Sequence, residues 1–385
     1  VSFDIGDLAG AGSFSSPASA MEASLSDFVG CTGVDVKVSA DPALDADLVN
    51  DAVNGTPPDV AVIDGPTLLP ALATTGTLAP APPLVEADLD KLWDVGWRST
   101  GSVNGVVYAT PLDASVRSLV WYSPKWFGRW SLTAPTTWGQ LVTLSAKATA
   151  AGHGWCLGSN PGGTVRSLLA EVVLRQAGTP VYDGWSTGSI ESTDPLITAA
   201  LTTVGSLVAP RRTRTSAATA SDITAVESGS CALALDDGAG IGAVPKGGSV
   251  GPGQDLYAFP LPPIGPAMGT PVRVNAHVVV ALADRPEVQA LRYYLSTALW
   301  AARQYTSTGR ISANRGLDIA DITDPITRLE VAVLQQKTAV SRFDAFAVMP
   351  AAESATAGTE LADWIAGRTS AAAALRAIQA ARPAS

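Results

Sequence analysis

The opening stretch of the chain alternates between two periodicities, and that limits the possible folds more than any other feature. Val1-Ser-Phe-Asp-Ile5 and Val34-Asp-Val-Lys-Val38 read as strands, and Asp59-Val-Ala-Val-Ile63 as a short apolar strand of the kind buried in a parallel sheet. Between them Met21, Leu25 and Phe28 recur at helical spacing over Ser19 to Gly30, with Gly30 a C-cap candidate. A second helical stretch runs from Asp41 to Val53 and is stopped by Asn54-Gly-Thr-Pro-Pro58, and a third is expected over Thr67 to Thr74. This β-α-β-α-β-α order predicts an α/β lobe built on a parallel sheet. In such sheets the loops after the carboxyl ends of the strands form the ligand crevice, which puts Ser39-Ala-Asp41 and Asp64-Gly65 at a crevice edge.

A chain of 385 residues is too long for one core, so two domains are expected. Asn104 to Phe127 reads as a long extended segment that crosses from the first lobe to the second, with Pro124 ending the run. A helix then opens at Thr137, a plausible N-cap, with Gln140 at the capping-box position. Further on, a short strand is expected at Trp155 to Gly158, and Asn160-Pro-Gly-Gly163 leads into a helix over Thr164 to Ala177. Asp194-Pro195 starts a helix to Val208, Ile223 to Val226 is helical, and Cys231 to Leu235 is a strand. Leu256 to Phe259 is another strand, a Pro/Gly-rich linker over 260–271 forms a second crossing, and Val272 to Leu282 is one strand containing His277. Helices follow over Pro286 to Thr297, Asp324 to Thr338, Thr359 to Ile365 and Ser370 to Ala381. These crossings divide the chain into an N-terminal lobe of residues 1–112 plus 272–316 and a C-terminal lobe of residues 113–271 plus 317–385.

Charge and composition remove several classes of function. Twenty-five basic against 35 acidic residues leave a net charge of −10, with no basic stripe to neutralise phosphates, so nucleic acid is not an expected partner. Arg211, Arg212 and Arg214 form the densest basic cluster and read as a solvated loop. With 46% apolar and 16% charged residues the chain is globular, and no apolar run approaches the ~20 residues of a membrane span. The chain opens on Val1, without Met, which suggests a mature form from which targeting or anchoring sequence has been removed. There is no G-x-S-x-G elbow and no P-loop, and the two imidazoles, His153 and His277, lack a distinctive Ser or Cys context. Gly238 to Ala243 fits a loose dinucleotide fingerprint but is followed by Pro245 where a helix should open. Asp236 and Asp237 could pair as hydrolase carboxylates, yet an Asp pair opening a turn is commonplace. The chain therefore reads as a binding protein rather than an enzyme, with no metal and no cofactor expected. Cys31, Cys156 and Cys231 have no zinc spacing; they are either three buried thiols or one pair and a remainder.

Several stretches, taken together and in order, resemble the extracellular solute-binding proteins of bacterial ABC importers, in the branch that handles sugars and alpha-glucosides. Asn104 to Phe127 is similar to that family's interlobe segment. Thr32-Gly-Val-Asp-Val-Lys-Val38, Gly55-Thr-Pro-Pro-Asp-Val-Ala-Val62, Pro135-Thr-Thr-Trp-Gly-Gln-Leu141, Asp284-Arg-Pro-Glu-Val288 and Arg342-Phe-Asp344 are similar to further family motifs, and the likeness covers roughly residues 20 to 380. The resemblance implies the two-lobed periplasmic-binding-protein fold, with a cleft that closes by hinge motion on a small polar solute, a sugar or glycoside above all. It implies an ABC permease as partner, a monomer, and a place on the extracellular face of the membrane, lipid-anchored through residues outside this sequence. It also implies that Cys156 and Cys231 are disulfide-bonded, leaving Cys31 as a buried thiol.

The pocket motifs depart from the branch. Gly162 to Leu168 stands where it has G-W-P-x-T-D-W, Cys231 to Ala239 lacks its arginine, Val274-Asn-Ala-His277 replaces G-G-G-D, and Ala357-Gly-Thr359 replaces an aromatic pair. Sugar sites need aromatic faces and fixed polar groups, so an alternative is a transport-inactive sensory or docking ectodomain of a membrane-anchored regulator. The cleft candidates are Asp41, Asp64, Gly65, Asp113, Asn160, Arg166, Asp236, Asp237, Asn275, His277 and Arg342. Their acids favour a cationic or polyhydroxylated ligand over phosphate. Trp121, Trp126 and Trp130 read as packing residues.

Overall fold

The computed structural model describes residues 1–6, 8, 16–158, 160–208, 221–235, 244, 247–265 and 269–383. Asp236, Asp237, the glycine-rich run 238–243 and the arginines at 211–214 lie outside the described residues. The chain packs as two units. The first comprises Val1–Ser115, Val274–Thr323 and Glu330–Arg342; the second comprises Val116–Arg273, Asp324–Leu329 and Phe343–Ser385.

A five-stranded sheet organises the first unit, in the order Lys37–Ser39, Ser2–Asp4, Val60–Asp64, His277–Ala281, Thr110–Pro111. The first three strands are parallel, as the β-α-β-α-β order requires, and His277–Ala281 runs antiparallel to both its neighbours. The period-2 rule puts Phe3, Ile5, Val60, Val62, Val279 and Ala281 on one face, and there they meet Met21, Leu25 and Phe28 and then Val288, Leu291, Leu295 and Trp300 from helices. All of these are buried, and each Val, Leu, Ile, Met and Phe among them contributes about 1.5–3 kcal/mol of transfer free energy. Arg292 is buried with no carboxylate paired to it among the described residues; its guanidinium donates to the carbonyls of Ala79, Pro80 and Tyr108 at 2.8–3.0 Å. Burial brings its pKa down to about 10, with Asp284 opposing.

Some elements differ from the sequence reading. The stretch Ser19 to Gly30 is two helices, Pro17–Ser24 and Ser26–Thr32, and the left-handed cap is Gly33 (φ 70°), not Gly30. Cys31 is exposed, not buried, because the last turn of the second helix runs past Phe28 and off the core. Val272 to Leu282 is two strands, Thr270–Asn275 and His277–Ala281, interrupted at Ala276, whose carbonyl accepts from Gly65 N at 3.1 Å. Asn104 to Phe127 is not one extended run. It holds the short strands Val106–Val107, Thr110–Pro111, Ser115–Val116 and Leu119–Tyr122, and Pro124 opens the helix Pro124–Arg129 under a Ser123 cap. Residues 317–323 and 330–342 belong to the first unit rather than the C-terminal lobe. Gln335 Nε2 donates to the carbonyls of Asn314 and Leu317, and Ser341 donates through N and Oγ to buried Asp94.

The second unit is mainly helical around Pro161–Gln176, whose Leu168, Leu169, Val172 and Val173 are wholly buried. Trp138–Ala150, Pro195–Val208, Ala351–Ile365 and Ala371–Ala380 supply the rest of the core, with a three-stranded antiparallel sheet in the order Tyr257–Pro260, Leu119–Tyr122, Ala234–Leu235. Thr137 and Gln140 form the expected capping box. Gly162 is required by a close helix crossing: a Cβ there would lie 1.7 Å from the Gly358 carbonyl oxygen. Cys156 and Cys231 are joined in a disulfide, beside the parallel bridge between Trp155 and Leu233.

A charge-balanced group is buried in this unit. Arg273 donates from Nε to Glu171 (2.7 Å) and from Nη1 to Asp344 (2.8 Å), and Arg175 pairs with Glu171. Ser118 Oγ donates to Glu171 and accepts from Arg273 N at 2.9 Å. Burial alone would lower the Arg273 pKa, but Asp344 and Glu171 raise it above the usual arginine value. Paired in this way, each charge has the partner that a low-dielectric interior demands.

Candidate functional site

A cavity of about 240 Å³ opens in the first unit at the carboxyl ends of its parallel strands. Its lining is Ile5, Gly6, Asp41, Pro42, Asp45, Val62, Asp64 and His277. The sheet explains this set. Ile5 directly follows the strand Ser2–Asp4, Val62 is the last apolar residue on the core face of Val60–Asp64, and Asp64 follows Val62 two residues on. His277 is the register partner of Asp64, so both side chains stand on that same face. Asp4 joins the surrounding loops: its carboxylate accepts from Gly6 N (3.2 Å), Asp41 N (3.3 Å) and Ser39 Oγ (3.1 Å). Gly6 takes φ 56°, a left-handed conformation that side chains disfavour.

Asp113 lies behind the imidazole. The chain on either side of it is tied down, Leu112 N donating to His277 O and Ala114 N to Ile311 O, both at 2.9 Å. The carboxylate is only 4% exposed. Its Oδ1 accepts from His277 N (3.0 Å) and contacts Nδ1 (2.8 Å), and its Oδ2 accepts from Arg310 Nη1. Burial by itself would push the Asp113 carboxyl up, but His277 and Arg310 reverse this and hold it well below the usual carboxylate range. Burial likewise opposes the imidazolium of His277; the charge and hydrogen bond of Asp113 override it, so the His277 pKa is raised, with Arg310 opposing and Asp64 assisting. Asp45 Oδ2 accepts from Asp64 N at 3.2 Å, yet burial is the larger effect and, with the Asp64 charge, raises the Asp45 carboxyl. The result is a cavity with three carboxylates and one imidazole of adjustable charge.

The structure thus brings Asp41, Asp64 and His277 together, with Asp113 behind His277 and Gly65 next in chain, its φ of 69° turning the backbone. The other candidates lie elsewhere. Asn275 is half-buried at the end of its strand. Arg342 Nη1 donates to Ser341 O, close against Gly96. In the second unit, Asn160 is the N-cap of Pro161–Gln176, accepting from Gly163 N at 3.0 Å, and Arg166 donates to Ser354 O and Oγ (3.0 Å each) over the Phe346 ring. Trp121 is core, whereas Trp126, Trp130 and His153 form a half-buried stack with centroids 5.6 and 4.3 Å apart. Sequence reasoning missed Asp45 and Arg310. Asp45 is one helical turn from Asp41, a spacing visible in the sequence, but no local pattern marks Arg310.

An α/β fold in two units, with an acid-lined cavity at the carboxyl edge of a parallel sheet, defines a binding protein of the two-lobed periplasmic class. The chain belongs to the bacterial extracellular solute-binding protein family, whose model matches residues 11–298. Its role is that of the substrate-binding component of an ABC importer. It is 27% identical over 362 residues to the osmoprotective compounds-binding protein GgtB of Synechocystis, covering 90% of this chain and 85% of that one. It is also 27% identical over 383 residues to the alpha-glucosides-binding periplasmic protein AglE of Rhizobium meliloti, covering 89% and 80%. Among solved structures, the solute receptor AcbH, described as preferring β-D-galactopyranose, matches with a TM-score of 0.80 at 18% identity, covering 98% of this chain and 96% of that one. The cyclic alpha-maltosyl-1,6-maltose binding protein from Arthrobacter globiformis matches with a TM-score of 0.71 at 18% identity, covering 99% and 97%. These likenesses show the fold. Among the described residues no helix is long and apolar enough to cross a membrane.

Proposed function

We propose that the protein captures a small polyhydroxylated solute, a sugar or alpha-glucoside, and that the cavity formed by Asp41, Asp45, Asp64 and His277 supplies polar recognition in the first unit. The cavity itself is the observation that carries this reading. Carboxylates only accept hydrogen bonds, so they suit hydroxyl donors, and an imidazole can return a donor to a ring or hydroxyl oxygen. The same acids repel phosphate. At about 240 Å³ the space falls below the ~300 Å³ at which small-molecule pockets usually begin, so it holds part of a solute. The names of the two curated relatives, one for osmoprotective compounds and one for alpha-glucosides, support the same class.

Capture by hinge closure belongs to this proposal, as do binding without catalysis and a lipid anchor outside this sequence. Isothermal titration with sucrose, trehalose, methyl α-D-glucopyranoside and glucosylglycerol, alongside thermal-shift measurement, tests it. A solute at 100 times its Kd stabilises the folded protein by ~2.7 kcal/mol. Absence of both heat and thermal shift with every one of these compounds would refute the sugar reading.

A further inference from the structure

The hydrogen bonding around His277 determines which ring nitrogen is left for a solute. Nδ1 lies 2.8 Å from Asp113 Oδ1 and 3.3 Å from Arg310 Nη1. A carboxylate can only accept, so a bare Nδ1 at 2.8 Å would set two lone pairs against each other. Nδ1 must therefore carry the proton and donate to Asp113. The backbone N of His277 donates to the same oxygen at 3.0 Å, and Arg310 fills the other oxygen. The ring is thus held at its inner edge, while Nε2 has no hydrogen-bond partner among the described residues and the side chain remains 24% exposed, in a residue that lines the cavity. Among the described residues, the charged groups around this ring are Asp113 and Arg310, which contact it, Asp64 on the neighbouring strand, and Asp45 and Asp41 in the cavity lining.

We propose that His277 is the specificity-determining residue of this cavity, presenting Nε2 to a solute hydroxyl, and that Asp113 and Arg310 are positioning residues that fix its tautomer. When the ring is neutral, Nε2 accepts a hydrogen bond from a hydroxyl; when it is cationic, Nε2–H donates to a hydroxyl or ring oxygen. Either way a solute with an alcohol at that point is favoured over one with a bare methylene, which would leave Nε2 without a partner. The identity of the solute rests on the reading above; the tautomer does not.

Two measurements test this. The first is long-range ¹H–¹⁵N NMR of the free protein at a pH where the imidazole is neutral. There are only two histidines, so His153→Gln assigns the spectrum. The Nδ1–H form of His277 is expected in the parent protein, and Asp113→Ala, which removes the acceptor, should shift the ring toward Nε2–H. A parent protein with predominantly Nε2–H overturns the proposal. The second is titration with the compounds named above. His277→Asn keeps an amide at the Nδ1 position and so keeps Asp113 satisfied, but loses the Nε2 atom. His277→Gln reaches the Nε2 position. Asn should weaken binding by about tenfold or more, the worth of one good hydrogen bond, and Gln should recover much of it. The pH dependence of Kd should follow the imidazole in the parent and lose that step in His277→Gln. Equal affinity for parent and Asn variants overturns the proposal, because a merely structural histidine would give that result. Failure of the parent to bind any compound refutes the sugar reading alone, and the tautomer measurement still judges the positioning network.

Discussion

Replacing Cys156 and Cys231 together by Ala removes a cross-link whose worth can be worked out. The two residues are 75 positions apart, with Cα atoms 5.5 Å apart, inside the usual range for a bridge. Closing a loop of 75 residues removes about 15 cal/mol/K of unfolded-state entropy, or about 4.5 kcal/mol at 25 °C. Both cysteines are buried beside the Trp155–Leu233 bridge, and Ala adds no unsatisfied hydroxyl there. For a unit of about 200 residues each kcal/mol moves Tm by about 2–4 °C, so a fall of roughly 9–18 °C is expected. Differential scanning calorimetry of the oxidised parent, the reduced parent and the double variant provides the assay, with the two disulfide-free conditions expected to agree. A loss below ~1 kcal/mol would refute the entropic argument. Three thiols reacting in the native oxidised protein, instead of the exposed Cys31 alone, would refute the bridge itself.

Other expectations follow from the same packing. Glu171→Gln leaves buried Arg273 and Arg175 short of a counter-charge and should cost ~3–5 kcal/mol in urea unfolding; an unchanged midpoint would mean that the group is not coupled. Gly162→Ala drives a methyl into the Gly358 carbonyl and should destabilise by ~1–3 kcal/mol, whereas Gly358→Ala, with nothing within 4 Å, should gain up to about 1 kcal/mol of helix propensity; the reverse order in thermal melts would contradict the crossing. His277 has a folded pKa raised above its unfolded value, so its contribution is fully present below about pH 6.5 and is lost as pH rises through the folded value. His277→Gln should abolish that part of the stability–pH curve, and a curve identical to the parent's would show that the Asp113 pairing contributes nothing.

The Asp113 network shows how a site can be half-legible. Asp113 and His277 could each be singled out from the sequence, one after a Pro-Leu pair and the other in an apolar strand. Their union could not, because it depends on an antiparallel strand inserted between two segments distant in sequence. Asn160 and Arg166 show the opposite case. Asn160 opens a glycine-rich loop and Arg166 follows it, yet the helix N-terminus claims the first and Ser354 the second. Local sequence cannot distinguish an amide that caps a helix from one that meets a ligand, since both need an exposed acceptor at a loop end.

What the sequence determined by itself is the set of short-range structures: the β-α-β-α-β rhythm, the Thr137–Gln140 capping box and the helices after Asp194 and Pro286. These follow from periodicity and from hydrogen bonds spanning three or four residues, so a window of the chain contains their causes. Tertiary structure decided the rest. It paired His277 with Asp64 in register, brought Arg310 to Asp113, joined Cys156 to Cys231, and returned residues 330–342 to the first unit. Each of those contacts owes its energy to groups far apart in sequence. Burial of the apolar strands that carry them places those groups together, giving the charges their partners and the cavity its wall.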